Sequence, residues 1–255
     1  MQLNYKISGQ GESIFLIHGL FGSLSNFGLL QQVLSQQFQV ITLDVRNHGE
    51  SPHDGSMTYE DMANDVLELA KLLDIERFSL VGHSMGGKIA MTVALNAPEK
   101  VNKLVVADMS PVNYPPRHQG VFAGLQAVAD SDVLTRSQAQ QCLAEHVEEV
   151  GVQQFLLKSL YKFKDKMVWR YNLPALVEGY QDIIAWPENN LTFQGPTLFI
   201  KGQLSDYIID EYWPDGRRHF PHAKIKMIMG TGHWLHAEKP VIFNKLVNDF
   251  FNATS

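Results

Sequence analysis

LVGHSMGGKIAM, residues 80–91, sets glycines around a lone serine between an apolar run and a helix-like segment. Two chemistries fit it. Gly82-His83-Ser84-Met85-Gly86 matches G-x-S-x-G, the sharp strand-to-helix turn that exposes a nucleophilic serine. Gly82 to Lys88 also matches most of G-x-x-x-x-G-K, a loop that cradles phosphates. That loop needs Ser or Thr after its lysine to ligate Mg²⁺, and here the residue is Ile89. It would also have to carry His83 and Met85 where backbone amides should wrap phosphate. The serine turn, by contrast, accounts for each position. Glycines at 82 and 86 remove side chains that would collide at the bend. The helix after Ser84 aims its positive end at the turn, so the Met85 N–H faces any oxyanion formed there.

Outward from this turn, short apolar runs recur: 13–19, 38–45, 78–84, 103–109, 197–202 and 224–230. Segments with helical spacing separate most of them, as at 58–74, 85–99 and 238–251. Near-continuous apolar strands alternating with helices predict an α/β fold: a mostly parallel central sheet covered by helices on both faces. Ligands of such sheets bind at the carboxyl ends of the strands. The residues ending each predicted strand are His18-Gly19, Asp44, Ser84, Asp108, Ser205-Asp206 and His233. The alternation stops between about 111 and 190, where prolines lead into helix-like, aromatic-rich pieces with no clear buried strand. The expectation is a core of 1–110 and 191–255, with 111–190 inserted as a helical cap over the active edge.

Composition narrows the partners. A chain of 255 residues can bury a full core, and a net charge of -6 argues against nucleic acid, which needs a basic face. The single cysteine, Cys142, excludes an internal disulfide and is expected to be a quiet buried thiol in an amphipathic helix. No basic n-region opens the chain and no window approaches a membrane span, so a cytoplasmic location is the expectation. Oligomeric state is not legible.

A nucleophilic serine needs a base and an oxyanion site. The base is assigned to His233 in GHWLHAEKP, after the last strand and before the last helix. His83 is expected to be structural because neighbouring side chains diverge at a bend. His236 reads as packing or capping, since a lone i, i+3 histidine pair is a weak metal signal; no metal is expected. IHGLFGS (17–23) offers the second oxyanion donor, with the Leu20 N–H first and Phe21 next. His18 and His48 are expected to orient loops, and Arg46 to tie the loop after its strand. The acid is open: Asp108 is preferred, with Ser205 as a hydrogen-bond helper, and Asp206 is the alternative. Tyr114, Phe155, Trp169, Tyr171 and Trp186 are candidates to line an apolar acyl pocket.

Together, HGLFGS, DVRNHGESP, GHSMGGK, FLLKSL and GHWLHAEKP resemble the α/β-hydrolase superfamily, and within it the bacterial YbfF-type esterases. The resemblance spans essentially the whole chain. It implies a serine esterase acting on short to medium acyl esters, or acyl-thioesters, with no metal or organic cofactor. It also implies that Ser84 and His233 carry the chemistry, and that a serine can hold the usual acid slot while the aspartate follows the preceding strand. Ser205 and Asp108 match that arrangement; Asp206 beside Ser205 departs from it. Two rivals share the fold: a C–C bond hydrolase, and a non-catalytic ligand-binding receptor.

Overall fold

A computed structural model describes residues 1–253. Seven strands form one sheet: β1 (Tyr5–Ser8), β2 (Ser13–Ile17), β3 (Gln39–Leu43), β4 (Phe78–His83), β5 (Val101–Ala107), β8 (Thr197–Gly202) and β9 (Lys224–Ile228). Their spatial order is β1-β3-β2-β4-β5-β8-β9. β1 runs antiparallel to β3, and every other pairing is parallel. Each apolar run of the sequence thus becomes a strand. The nucleophile strand β4 lies at the centre, where both faces must be covered.

Side-chain alternation divides the strands between two apolar cores. Ile14 and Leu16 of β2 face one core with Phe243 and Val247; Phe15 and Ile17 face the other with Met62, Ile89 and Val93. Helices α1 (Gly28–Leu34) and α11 (Pro240–Asn252) therefore cover one face, and α2 (Tyr59–Leu72) and α3 (Met85–Asn96) the other. The start of α2 is set by Thr58, whose hydroxyl accepts the Asp61 N–H, with Glu60 and Asp61 in the positive first turn. α3 is buried along all but its last residue, which explains its mostly apolar sequence, with Lys88 and Thr92 as buried polar exceptions.

Between β5 and β8 the chain leaves the sheet. It forms α4 (Gln119–Asp130), α5 (Arg136–Ala144), α6 (Val150–Leu157), a hairpin of β6 (Leu160–Phe163) and β7 (Lys166–Trp169), then α7 (Leu173–Glu178) and α8 (Tyr180–Ile184). The hairpin corrects the helix-like reading of 155–173. LYKF and KMVW pair antiparallel, Leu160 with Trp169 and Phe163 with Lys166, and Lys164 takes a left-handed turn conformation (φ 54°) between them. The helix predicted around Cys142 stops at Ala144, and the thiol is half-buried rather than fully enclosed. Leu125, Leu143 and Leu156 of this segment are continuous with the core that contains α2 and α3. Two short helices, α9 (Trp213–His219) and α10 (Leu235–Glu238), precede and follow β9 in the chain, ahead of α11. Among the described residues no helix is long and apolar enough to cross a membrane.

Candidate active site

Parallel pairing brings the carboxyl ends of β2, β4, β5 and β8 together. Ile17 lies beside Gly82, His83 beside Ala107, and Ala107 beside Ile200. Backbone bonding continues past the strand ends, with Ser84 N–H on Ala107 O (3.0 Å) and Asp108 N–H on Ile200 O (2.8 Å). Ser84 sits at φ 54°, ψ -123°, a conformation costing about 1–3 kcal/mol. The turn closes so tightly that a Cβ on Gly82 would lie 2.1 Å from Gly86 O, and one on Gly86 2.2 Å from Ile17 O. The sequence argument for both glycines therefore has a steric basis.

His233 lies between Ser84 and Asp108. Its Nδ1 is 2.7 Å from Asp108 Oδ2 and its Nε2 is 2.9 Å from Ser84 Oγ. A carboxylate only accepts, so Nδ1 carries the proton and Nε2 accepts the Ser84 hydroxyl. Asp108 is fully buried and left-handed (φ 51°), and its other oxygen receives the Gly202 N–H at 3.0 Å. Ser205 Oγ donates to the same Oδ2 that His233 contacts. Asp206 does not reach the histidine. It is exposed and paired with Arg117 at 2.8 Å, because the residue after Ser205 points out of the turn that Ser205 directs inward.

The imidazole is held from two further sides. Tyr207 stacks on it, with centroids 3.9 Å apart and planes 20° from parallel. His83 Nε2 lies 2.9 Å from the His233 carbonyl, so it must donate. Burial, then His236 and His233, push the His83 pKa well down, which keeps it a neutral donor. His236 packs against Phe27 and His83. Among the described residues no three His, Cys, Asp or Glu side chains converge as metal ligands.

Leu20 and Met85 border the cavity at Ser84, and among the described residues neither N–H has a protein acceptor. Phe21, the other candidate donor, is excluded: its N–H is taken by His48 Nε2 at 3.1 Å. His48 Nδ1 donates to Arg46 O (2.9 Å), while His18 donates to Gly19 O (2.8 Å) and accepts the Val45 N–H (3.0 Å). Both histidines thus shape the loop carrying Leu20. Arg46 is buried in a two-pronged pair with Asp65 (2.6 and 3.0 Å), which makes it a tie for its loop and removes it from substrate.

Two narrow cavities meet at Ser84, Leu20 and His118. One extends past Tyr59, Met109, Tyr114, Ile183 and Tyr207. The other runs past Val121, Val152, Phe155, His233 and Trp234. Of the five aromatic candidates, Tyr114 and Phe155 line these spaces. Trp169 and Tyr171 do not: they stack on one another behind Phe21, and Trp169 Nε1 donates to Leu125 O. Trp186 borders a surface cleft beside Arg218 that does not reach Ser84, because its indole packs on His219. Sequence reasoning missed Tyr59, Arg117, His118 and Tyr207. Arg117 and His118 end YPPRH, a polar pair within ten residues of Asp108, and Tyr207 adjoins Ser205-Asp206.

This arrangement coincides with what comparison with known proteins finds. Residues 12–240 match the family described as the alpha/beta hydrolase fold. The chain belongs to that family. This α/β hydrolase is 41% identical to esterase YbfF of Escherichia coli over 240 residues, covering 94% of this chain and 92% of the relative. It is 40% identical over 255 residues to the sn-1-specific diacylglycerol lipase ABHD11 of Danio rerio, covering 95% and 80%. A solved structure titled marine microorganism esterase superposes with a TM-score of 0.95 at 36% identity, covering 98% of this hydrolase and 99% of that chain.

Proposed function

We propose that this protein hydrolyses small carboxylic esters, acyl-thioesters included, through an acyl-enzyme on Ser84. The reading is carried by the unbroken series Ser84 Oγ, His233, Asp108, with bonds of 2.9 and 2.7 Å. His233 Nε2 removes the Ser84 proton as Oγ attacks the ester carbonyl. The carbonyl oxygen becomes an oxyanion held by the Leu20 and Met85 N–H groups, each contributing on the order of 3 kcal/mol. His233 then passes its proton to the departing alkoxide. Water, deprotonated by the same histidine, attacks the acyl-serine and restores the hydroxyl. Asp108 keeps Nδ1 protonated and stabilises the imidazolium, with Ser205 and Gly202 fixing the carboxylate.

Proton delivery also orients the substrate. The alcohol must leave beside His233, hence in the cavity with Phe155 and Trp234, and the acyl group takes the one with Tyr59, Tyr114 and Ile183. We take residues 111–190 as the cap, since Tyr114, Ile183 and Phe155 all come from it. Esterase and lipase names among relatives near 40% identity favour ester over C–C bond cleavage and over a receptor without turnover.

The test is hydrolysis of p-nitrophenyl esters from C2 to C12 by wild type and Ser84→Ala. Turnover should peak at short to medium chains and fall by at least about 10⁴-fold in the variant. Undiminished turnover by Ser84→Ala would refute the acyl-enzyme route.

A further inference from the structure

His118 stands at the junction of the two cavities and has no part in the mechanism above. Its chemistry is fixed by a neighbour. The Tyr180 hydroxyl receives two backbone N–H groups, Arg117 at 3.0 Å and His118 at 3.2 Å, which occupy the lone pairs of its oxygen. The same oxygen is 2.8 Å from His118 Nδ1. With its acceptor capacity used, Tyr180 can only donate along that contact. His118 Nδ1 is then an acceptor, and a neutral imidazole must carry its proton on Nε2. Burial, then His233 and Arg117, pull the His118 pKa to about 4, so the ring is neutral at ordinary pH. Nδ1 faces Tyr180, and among the described residues Nε2 enters no hydrogen bond with the protein, on a ring that lines both cavities. The result is an N–H of fixed tautomer beside Ser84, with nothing in the protein to receive it.

The catalytic steps leave this donor over. Leu20 and Met85 serve the carbonyl oxygen, and His233 serves the alkoxy oxygen. A third donor matches a third oxygen. His118 lines, together with His233, the cavity by which the alcohol leaves, so the third oxygen is assigned to that side. We infer that His118 is a specificity-determining, substrate-contacting residue whose Nε2–H recognises an acceptor oxygen on the alcohol portion of the ester, close to the scissile oxygen. Tyr180 is its positioning residue. The inference rests on the acyl-enzyme reading and adds to it a preferred substrate class: esters of alcohols bearing a neighbouring ether or hydroxyl oxygen.

A matched pair isolates this contact. Butyl butyrate and 2-methoxyethyl butyrate have the same shape and differ by one oxygen in place of a methylene. His118→Leu should lower kcat/KM for the methoxyethyl ester about 10-fold more than for the butyl ester, the scale of one hydrogen bond. His118→Gln keeps a donor near the Nε2 position and should retain most of the preference. Tyr180→Phe leaves the ring in place but frees the tautomer, so it should erase part of the preference even if His118→Leu folds poorly. Equal losses on both esters would overturn the inference and leave His118 as packing. A loss confined to an acyl-side pair, butyl methoxyacetate against butyl butyrate, would overturn the alcohol-side assignment. Ser84→Ala separates the two layers: surviving turnover in that variant breaks the acyl-enzyme reading. Calorimetric binding of the pair to Ser84→Ala tests His118 without turnover, and indistinguishable affinities there would overturn its role.

Discussion

Ser205 and Asp206 are neighbours in sequence, yet the fold gives them opposite surroundings. Ser205 Oγ bonds the buried Asp108 carboxylate, while Asp206 lies in solvent against Arg117. Asp108→Asn should therefore lower turnover by up to about 10⁴-fold, because an amide cannot hold the His233 tautomer or its developing charge. Asp206→Asn should stay within a few-fold of wild type, as expected for an exposed pair worth about 0–1 kcal/mol. Ser205→Ala should fall between, near 10-fold, having lost one charge-assisted bond to the carboxylate. Steady-state kinetics on a single ester checks all three. Equal losses at 108 and 206 would remove the distinction. The sequence alone leaves this pair undecided because both acids follow strand ends bordering the site, and only the turn after β8 determines which side chain points inward.

At the scale of elements, Lys88 shows what motif reading discards. Its failure as a phosphate-loop lysine leaves it without a role in the sequence, and the fold supplies one. It is fully buried in α3, where Nζ donates to Ile184 O (2.9 Å) and Ala185 O (2.6 Å) at the end of α8. The helix that begins at the nucleophile is thereby tied to the segment lining the acyl cavity. Burial pulls its pKa to about 7. The folded value lies below the unfolded one of about 10.4, so the cost of burying the charge is full below pH 7. That cost fades as pH rises from 7 towards 10.5. Wild type should accordingly gain stability on Lys88→Met between pH 7 and 9.5, by up to about 1.4 kcal/mol per pH unit, in urea titrations. A pH-independent difference would refute this. Regular elements were legible wherever period and length agreed, as in β2, β4, α2 and α11. The hairpin of β6 and β7 was not: its short strands are largely exposed or half-buried and show no in–out alternation, so no strand period marks them. Trp169, Tyr171 and Trp186 were misplaced for a related reason, since composition marks an aromatic as buried without saying against what.

Across the whole molecule, the loops around the site are built on neutral histidines. His18, His48, His83 and His236 are buried, and burial is the leading cause lowering each pKa, to about 3 for His48 and His236. In two of them the geometry forbids a second proton outright. His18 Nε2 accepts the Val45 N–H and His48 Nε2 the Phe21 N–H, so protonation would set donor against donor. The unfolded chain suffers no such conflict and binds protons near pH 6.5. Stability due to these groups is thus present above pH 6.5 and is lost as pH falls through the interval down to about 3. For His48 and His236 alone the loss approaches about 3 kcal/mol per pH unit once the unfolded histidines are charged, and His18 and His83 add to it in the same direction. A domain of ordinary stability, about 5–15 kcal/mol, should then have lost about 4 kcal/mol or more by pH 5, above the range where carboxylates titrate. Urea midpoints at pH 7.5, 6.0 and 5.0, with proton uptake measured on unfolding, check this. Uptake of at least about three protons at pH 5, by His48, His236 and His118, is the expected result, and stability unchanged from pH 7.5 to 5.0 would refute it. Because His48 holds Phe21 beside the Leu20 donor, acid should disable the oxyanion loop and the fold in one transition.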